Sequence, residues 1–218
     1  MEALVHLKKF HVDLVEQCDK KLMQILFNSP RTVPIEAYYI ESSTYPLRFH
    51  IKLRRFMYLW TLLRKSEKEL VKKVFNAQVL ITTNDTWTHF IKEDLKEFEI
   101  EYTFDQISLM SKSQFKQIVL IKVKDKAKQY LHDLQSKHVK TKKLNISEKM
   151  QPYLSSPKLS LLEKQQLFLL RCNSNFCKIN YRSMYLEDMT CNFCKDKQSV
   201  DSVDHYSHCS DLNQRPDL

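Results

Sequence analysis

The chain has 218 residues, of which 43% are hydrophobic and 28% charged, and its formal net charge is +9. This composition predicts a globular protein rather than a disordered one, and no apolar run approaches the roughly 20 residues that a membrane-spanning helix needs. The chain also contains no glycine. That excludes the usual forms of the P-loop, the dinucleotide-binding fingerprint and the nucleophile elbow, because each needs glycine at its tightest backbone positions.

The hydrophobic pattern predicts a mostly helical protein, because apolar residues recur at spacings of three and four. A Ser or Thr followed three residues later by Glu or Gln forms a capping box, which marks a helix start. Such boxes begin at Ser66, Thr103, Ser111 and Ser160. Without glycine to end helices, Asn28 and Asn76 are the expected C-terminal caps. In chain order we predict helices at 3–27, 35–41, 47–64, 67–78, 85–97 (from Asn84), 104–110, 112–136 and 161–172.

The predicted helix 47–64 is the most apolar stretch, and basic residues are interleaved with its aromatic side chains. Aromatic side chains beside arginines can stack on nucleic-acid bases. Here the aromatic residues cover too much of the helix to form a binding strip, so we favour core packing. Arg54 and Arg55 form its basic edge and are secondary candidates for phosphate contacts.

The chain shows no pattern typical of a catalytic site. Polymerases and nucleases hold two metal ions with clustered carboxylates, and no two aspartates are adjacent here. Asp94-x-Lys96 resembles part of a nuclease pattern, but Glu93 and Glu97 beside it favour a charged, solvent-facing helix surface. We therefore expect no enzymatic activity and no small-molecule substrate.

The positive charge is concentrated between Lys112 and Asn145. This segment of 34 residues contains ten lysines and only two acidic residues, Asp125 and Asp133, so its net charge is +8. A solvated helix surface is the simple explanation for lysines, whereas such a concentration favours binding to phosphates. The end of this segment, 136–143, has no apolar periodicity and predicts an exposed basic loop. The candidate nucleic-acid contacts are Lys112, Lys116, Lys122, Lys124, Lys126, Lys128, Lys137, Lys140, Lys142, Lys143, Arg54 and Arg55.

The C-terminal region carries a metal-binding pattern, C-x2-C-x10-H-x3-C, formed by Cys191, Cys194, His205 and Cys209. Two thiolates three positions apart reach one ion from a tight turn, and a His and a Cys four apart share one face of a helical turn. Sulfur and imidazole select zinc over calcium or magnesium. Four protein ligands leave no position for a reactive water, so we expect one structural Zn²⁺.

Other residues near this pattern leave alternatives open. His208 directly precedes Cys209 and is a reserve ligand, and Cys172 or Cys177 can join a second site or substitute in the first. Metal ligands and free thiols, rather than disulfides, fit a reducing compartment. We therefore expect an intracellular protein, nuclear or cytoplasmic, that does not act at a membrane.

Three segments, taken in chain order, resemble segments of a known protein family. Cys18–Trp60 contains TVPIEAYYIE, PLRF and RRFMYL; Met110–His138 begins MSKSQFK; and Met189–Cys209 reads MTCNFCKDKQSVDSVDHYSHC. They resemble the segment downstream of the polymerase domain in reverse transcriptases of LINE-type (non-LTR) retrotransposons, including its closing CCHC zinc motif. One departure is ESST, at 41–44, which stands where the family usually has a glycine-containing turn.

The resemblance implies a role without catalysis. The family's catalytic aspartates lie upstream of the matching segment, so we expect a nucleic-acid-binding piece whose zinc ion is structural. The expected fold is all-α, an irregular helical bundle (1–170) followed by a small C2HC zinc-binding unit (171–212) and a tail (213–218). Its partner would be RNA or DNA with weak sequence specificity; the oligomeric state stays open. The alternative is a zinc-stabilised helical module that binds proteins and has no nucleic-acid role.

Overall fold

The computed structural model describes residues 9–81, 86–172, 174, 189–191, 194, 199–206 and 208–209. This part of the chain is mostly helical, which confirms the all-α prediction, and its β-type pairing is an isolated antiparallel bridge between Thr190 and Val200. None of the helices described is long and apolar enough to cross a membrane. The elements are α1 Lys9–Leu26, α2 Ile35–Ser42, α3 Leu47–Leu63, α4 Leu70–Leu80, α5 Trp87–Glu97, α6 Phe104–Leu109, α7 Lys112–Lys137, a 3-10 turn Val139–Thr141, α8 Pro152–Ser155, α9 Leu161–Arg171 and α10 Val203–Tyr206.

The predicted capping boxes form where the local sequence encodes them. At α6, the Thr103 hydroxyl accepts from Gln106 N and the Gln106 side chain accepts from Thr103 N. The same reciprocal bonds occur at the starts of α7 and α9. The box at Ser66 was placed too early: it closes a turn, and α4 begins only after Glu69. For α5 the N-cap is Thr86, while Asn84 lies outside the described residues.

Among the residues that the structure describes, three have left-handed backbone, and none of them is glycine. Asn28 has φ 44°, as predicted for a residue that ends a helix, and Ser43 and Glu99 each have φ 53°. The prediction for Asn76 was wrong, because this residue lies inside α4. Its side chain instead donates to Glu67 Oε2 at 2.7 Å.

The contacts divide the chain into two units. The first contains the described residues up to Lys20 together with Tyr45–Asp133, and the second contains Lys21–Thr44 and the described residues from Leu134 onward. The separate unit predicted at 171–212 stays a prediction.

The first unit has a core built from α3, α5 and α7. Phe56, Ile91 and Val119 are fully buried there, and the Phe56 and Phe98 rings meet edge to face at 5.6 Å between centroids. The aromatic residues of α3 that the sequence assigned to core packing thus contribute to this core. The apolar stripe of α7, which begins at Phe115, is buried in it as well.

An ion pair lies beside this core and corrects one expectation. Asp94 is 3% exposed, and its carboxylate accepts from Arg55 Nη1 at 3.1 Å and from Lys52 Nζ. The predicted solvent-facing surface at 93–97 was therefore wrong for Asp94. The sequence pattern could not show that α3 supplies two cations to this position of α5.

The second unit is centred on α2, most of whose side chains are buried. Tyr38 of α2 stacks on Phe168 of α9 at 5.2 Å between ring centroids. Beside them, the buried Glu41 carboxylate accepts from Arg171 Nε at 2.7 Å and from the Tyr153 hydroxyl at 2.8 Å. Glu41 therefore connects α2 to α8 and α9.

The segment 136–143, predicted as an exposed basic loop, is partly buried. Thr141 is 0% exposed, and its hydroxyl donates to Glu36 Oε1 at 3.2 Å. Glu36 is also 0% exposed, and the same oxygen lies 2.5 Å from His138 Nδ1. Six of the eight residues of the segment are exposed, as predicted. The prediction fails at Thr141, because the buried carboxylate of Glu36 in α2 accepts its hydroxyl.

Candidate metal site and basic surface

The four residues of the C-terminal pattern lie together. The ligand atoms of Cys191, Cys194, His205 and Cys209 are all within 4.8 Å of one another. Within this cluster, Cys194 Sγ is 3.4 Å from His205 Nε2. Cys191 and Cys209 are each 1% exposed. Three sulfur atoms and one imidazole nitrogen in such a space can hold one metal ion.

Two local structures place these ligands. Around the bridge of Thr190 and Val200, Cys191 N donates to Ser199 O at 3.0 Å and Asp201 N donates to Met189 O at 2.8 Å. This antiparallel pairing brings Met189–Cys191 beside Ser199–Asp201, which precede and follow Cys194 in the sequence.

The helical half of the cluster starts from a cap. The Ser202 hydroxyl accepts from His205 N at 3.1 Å, which is the bond of an N-cap residue to the third helical position. The turn continues to His208, whose N donates to His205 O at 2.9 Å. His205 and Cys209 are thereby held one turn apart, as the four-residue spacing predicts.

The alternative metal ligands suggested by the sequence were His208, Cys172 and Cys177. His208 is exposed, and its Nδ1 lies 3.1 Å from Asp204 O, outside the cluster. Cys172 is 0% exposed and packs in the core of the second unit. Burial there raises the pKa of its thiol above the ordinary range, and its sulfur is not among the atoms of the cluster. Cys177 lies outside the described residues.

The candidate lysines differ in exposure. Five are half-buried, and the others are exposed along α7 and the segment after it. The half-buried ones are Lys122, Lys124, Lys126, Lys128 and Lys140, and the exposed ones are Lys112, Lys116, Lys137, Lys142 and Lys143.

One carboxylate is shared by two lysines of α7. Glu99 Oε1 lies 2.7 Å from Lys126 Nζ, and Glu99 Oε2 lies 3.7 Å from Lys122 Nζ. The hydrogen bond from Lys126, helped by both positive charges, lowers the pKa of the Glu99 carboxyl. Two ammonium groups around one carboxylate leave a net positive charge at this place.

Two basic residues beyond α7 have partners in the second unit. The Lys140 ammonium donates to Ser174 Oγ at 3.3 Å, and burial lowers its pKa. Lys143 is strongly exposed and lies 3.7 Å from Asp204 of α10. A phosphate at Lys140 would compete with a bond inside the protein, whereas Lys143 can reach solvent.

The two candidate arginines do not share a surface. Arg54 is exposed, but Arg55 is 6% exposed and its guanidinium bonds to Asp94. The expectation that Arg55 contacts phosphates is therefore corrected, because a new anion would have to displace a buried carboxylate.

Arg64 was not among the predicted contact residues, and its Cζ lies 4.8 Å from the centroid of the Trp60 ring. The four-residue spacing on α3 was a signal for this contact. Lys112 Nζ also lies 6.0 Å from that centroid. Its approach depends on tertiary packing and has no local signal.

The described residues form a mostly helical protein with a Cys3His cluster that could hold a metal ion and a strongly basic helix. Comparison with models of known protein families, with curated proteins and with solved structures finds no match. The resemblance to the retrotransposon segment thus stays a prediction.

Proposed function

We propose that this chain binds nucleic acid without catalysing a reaction, through phosphate contacts made by the lysines of α7. The observation that carries the proposal is the way α7 packs. Phe115, Val119 and Val123 bury one stripe of the helix in the core. That burial fixes the rotation of α7, so its lysines are presented along the remaining surface of a rigid element.

The charge of this surface is suited to a polyanion. Between Lys112 and Lys137, seven lysines stand against Asp125 and Asp133, and the nearby Glu99 is already shared by two of the lysines. A strand of phosphates would release condensed counterions on binding, and this release is the main sequence-independent source of affinity for nucleic acids. Phosphate contacts of this kind set position and affinity but read little sequence.

We further propose that the metal of the Cys3His cluster is a structural zinc ion. With Zn–S of about 2.3 Å and Zn–N of about 2.0–2.1 Å, a tetrahedral site separates sulfur from nitrogen by about 3.6 Å. The 3.4 Å between Cys194 Sγ and His205 Nε2 is near this value. Zinc bound by Cys191, Cys194, His205 and Cys209 would hold the loop and α10 together, and it would take no part in a reaction.

The resemblance supports the same proposal from another direction. The retrotransposon segment that this chain resembles includes a basic region and a closing zinc motif, and it lies downstream of the polymerase active site. An origin in a retrotransposon reverse transcriptase is therefore part of the proposal.

Binding measurements at several salt concentrations test the nucleic-acid function. Fluorescently labelled RNA and DNA strands, single and duplex, would be titrated with the full chain from about 50 to 200 mM salt. We expect the logarithm of the affinity to fall linearly with the logarithm of the salt concentration. Absence of binding at the lowest salt would refute the function and favour the protein-interaction alternative.

Charge-matched variants locate the contact. Lys116→Gln with Lys124→Gln removes two charges from α7, and Lys68→Gln with Lys73→Gln removes two from exposed positions near or on α4. The first variant should reduce the salt slope by about 1.4 for a single strand or about 1.8 for a duplex. The second should leave the slope close to that of the wild type. Equal losses in both would show that only net charge matters and not α7.

A further inference from the structure

In the first unit, two positively charged side chains lie beside the ring of Trp60. Trp60 Nε1 donates to Met110 O at 3.0 Å, which fixes the orientation of the indole. The Arg64 guanidinium lies over the ring at 4.8 Å from its centroid, and its Nε donates to Ser108 O at 3.3 Å. Lys112 Nζ lies 6.0 Å from the same centroid.

Arg64 is used differently from the arginines that form ion pairs. Arg48, Arg55 and Arg171 each bind a carboxylate. In the part of the chain that the structure describes, neither Arg64 nor Lys112 forms an ion pair with a carboxylate. Two positive charges therefore converge on one ring without an internal counter-charge, and a bound anion would relieve their repulsion.

The geometry of Arg64 is prepared for a ligand. Its stacking on Trp60 and its bond to Ser108 O restrict a side chain that is otherwise flexible, so part of the ordering entropy is already lost before binding. The bond to Ser108 uses one of the five N–H donors of the guanidinium, and the other four belong to the two terminal nitrogens. Arg64 is exposed, so a ligand can reach this side chain from the side that faces away from Trp60.

The chemistry of such a site selects an unpaired nucleotide. A guanidinium plane stacks on a nucleic-acid base, and an ammonium group beside it binds the phosphate. In a duplex the faces of each base are covered by its neighbours, so only a single strand offers a base face to Arg64. A duplex would still be attracted by the positive charges of Arg64 and Lys112. The bases inside it could not stack on the guanidinium plane of Arg64.

We propose that Trp60, Arg64 and Lys112 bind one nucleotide of a single strand, with the base stacked on Arg64 and its phosphate at Lys112. This inference rests on the proposed function and adds a preference for unpaired RNA or DNA at this site. It assigns Arg64 a stacking role and Trp60 the role of a support that positions Arg64.

The binding test uses oligouridine and oligothymidine of about 12 nucleotides and a duplex of equal length. Arg64→Ala should weaken single-strand binding about fivefold or more, as expected for loss of one stacking contact. Arg64→Lys should recover little, because an ammonium group keeps the charge but not the plane. Lys112→Gln should reduce the single-strand salt slope by about 0.7, and Lys73→Gln, an exposed lysine of α4, serves as the control.

Fluorescence gives a second, independent measurement. The chain has two tryptophans, and Trp87 is 8% exposed in the core. In a Trp87→Phe variant the emission comes from Trp60 alone. A single strand should change this emission on binding, and a duplex should change it much less.

The outcomes separate the two proposals. If the wild type binds nucleic acid but Arg64→Ala and Arg64→Lys bind single strands as the wild type does, the stacking site is wrong and the phosphate-binding function stands. The stacking site is also wrong if Arg64→Lys binds single strands as tightly as the wild type while Arg64→Ala binds them more weakly. In that case the positive charge of residue 64 is sufficient for binding. If the wild type binds no strand even at low salt, both proposals fail.

Discussion

The buried carboxylate of Asp94 offers the sharpest test of how the first unit is held together. Its side chain is 4% exposed and that of its partner Arg55 is 7% exposed, while Lys52 is 23% exposed. The substitution Asp94→Asn removes the negative charge and keeps the volume. The guanidinium of Arg55 then loses the carboxylate of Asp94, whereas Lys52 still pairs with Glu97 at 3.1 Å.

The size of the effect follows from this burial. Removing one partner of a buried ion pair costs about 3–5 kcal/mol of stability, and we expect about 3 kcal/mol because the amide oxygen of the substituted side chain can still accept a hydrogen bond. That loss is a large part of the roughly 5–15 kcal/mol that stabilises a typical domain. Glu97 binds the same lysine but is 56% exposed, so Glu97→Gln should cost less than about 1 kcal/mol.

Urea unfolding measures both variants. Trp60 and Trp87 lie in the first unit, so their fluorescence reports its unfolding, and circular dichroism follows the helices of the whole chain. Replacing Arg55 by Met in the Asp94→Asn background should restore part of the loss, because the buried charge that has lost the Asp94 carboxylate is then gone. The reasoning is refuted if the stabilities of Asp94→Asn and Glu97→Gln differ by less than about 1 kcal/mol, since their predicted costs are separated by more than that.

Three further predictions concern the metal, a buried phenol and a helix cap. Cys191→Ser should lower the zinc content of the purified protein, measured by mass spectrometry, well below one ion per chain. Cys18→Ser, at an exposed position, should not lower it. Equal zinc content in the two variants would contradict the assignment of the site. Burial raises the pKa of Tyr38 to about 12, so the folded state keeps this proton longer than the unfolded state, and stability should fall as the pH rises from about 10 towards 12. Tyr38→Phe should flatten that decline in pH-dependent unfolding, and an unchanged slope would exclude Tyr38 as its source. Thr103→Ala should cost about 1 kcal/mol in thermal unfolding through loss of its cap, whereas Thr61→Ala, at an exposed position within α3, should cost clearly less.

Features that depend on local sequence were predictable. The boxes at Thr103, Ser111 and Ser160 form because both partners lie three residues apart on one turn. The Cys191 and Cys194 pair, with His205 and Cys209, is likewise encoded by two short spacings, so the cluster forms as the sequence indicated.

Features that depend on a distant partner were not predictable. Asp94 looked like one of several surface acids because nothing in α5 shows that α3 brings Arg55 to it. Thr141 lies in a segment of lysines, and it is buried because Glu36, more than one hundred residues earlier, accepts its hydroxyl. In both cases the sequence shows the chemical type of a residue but not what tertiary packing places beside it.

The bonds of Glu41 also bear on the order in which the chain folds during synthesis. Its partners Tyr153 and Arg171 lie 112 and 130 positions later. The second unit joins Lys21–Thr44 to residues that follow Asp133. A ribosome that adds about 5–20 residues per second needs roughly 6–24 s to make the segment between α2 and α9. During that time the buried face of α2 has no partner from α9, so a newly made chain exposes Tyr38 and Glu41 to chaperones long after α2 has left the ribosome.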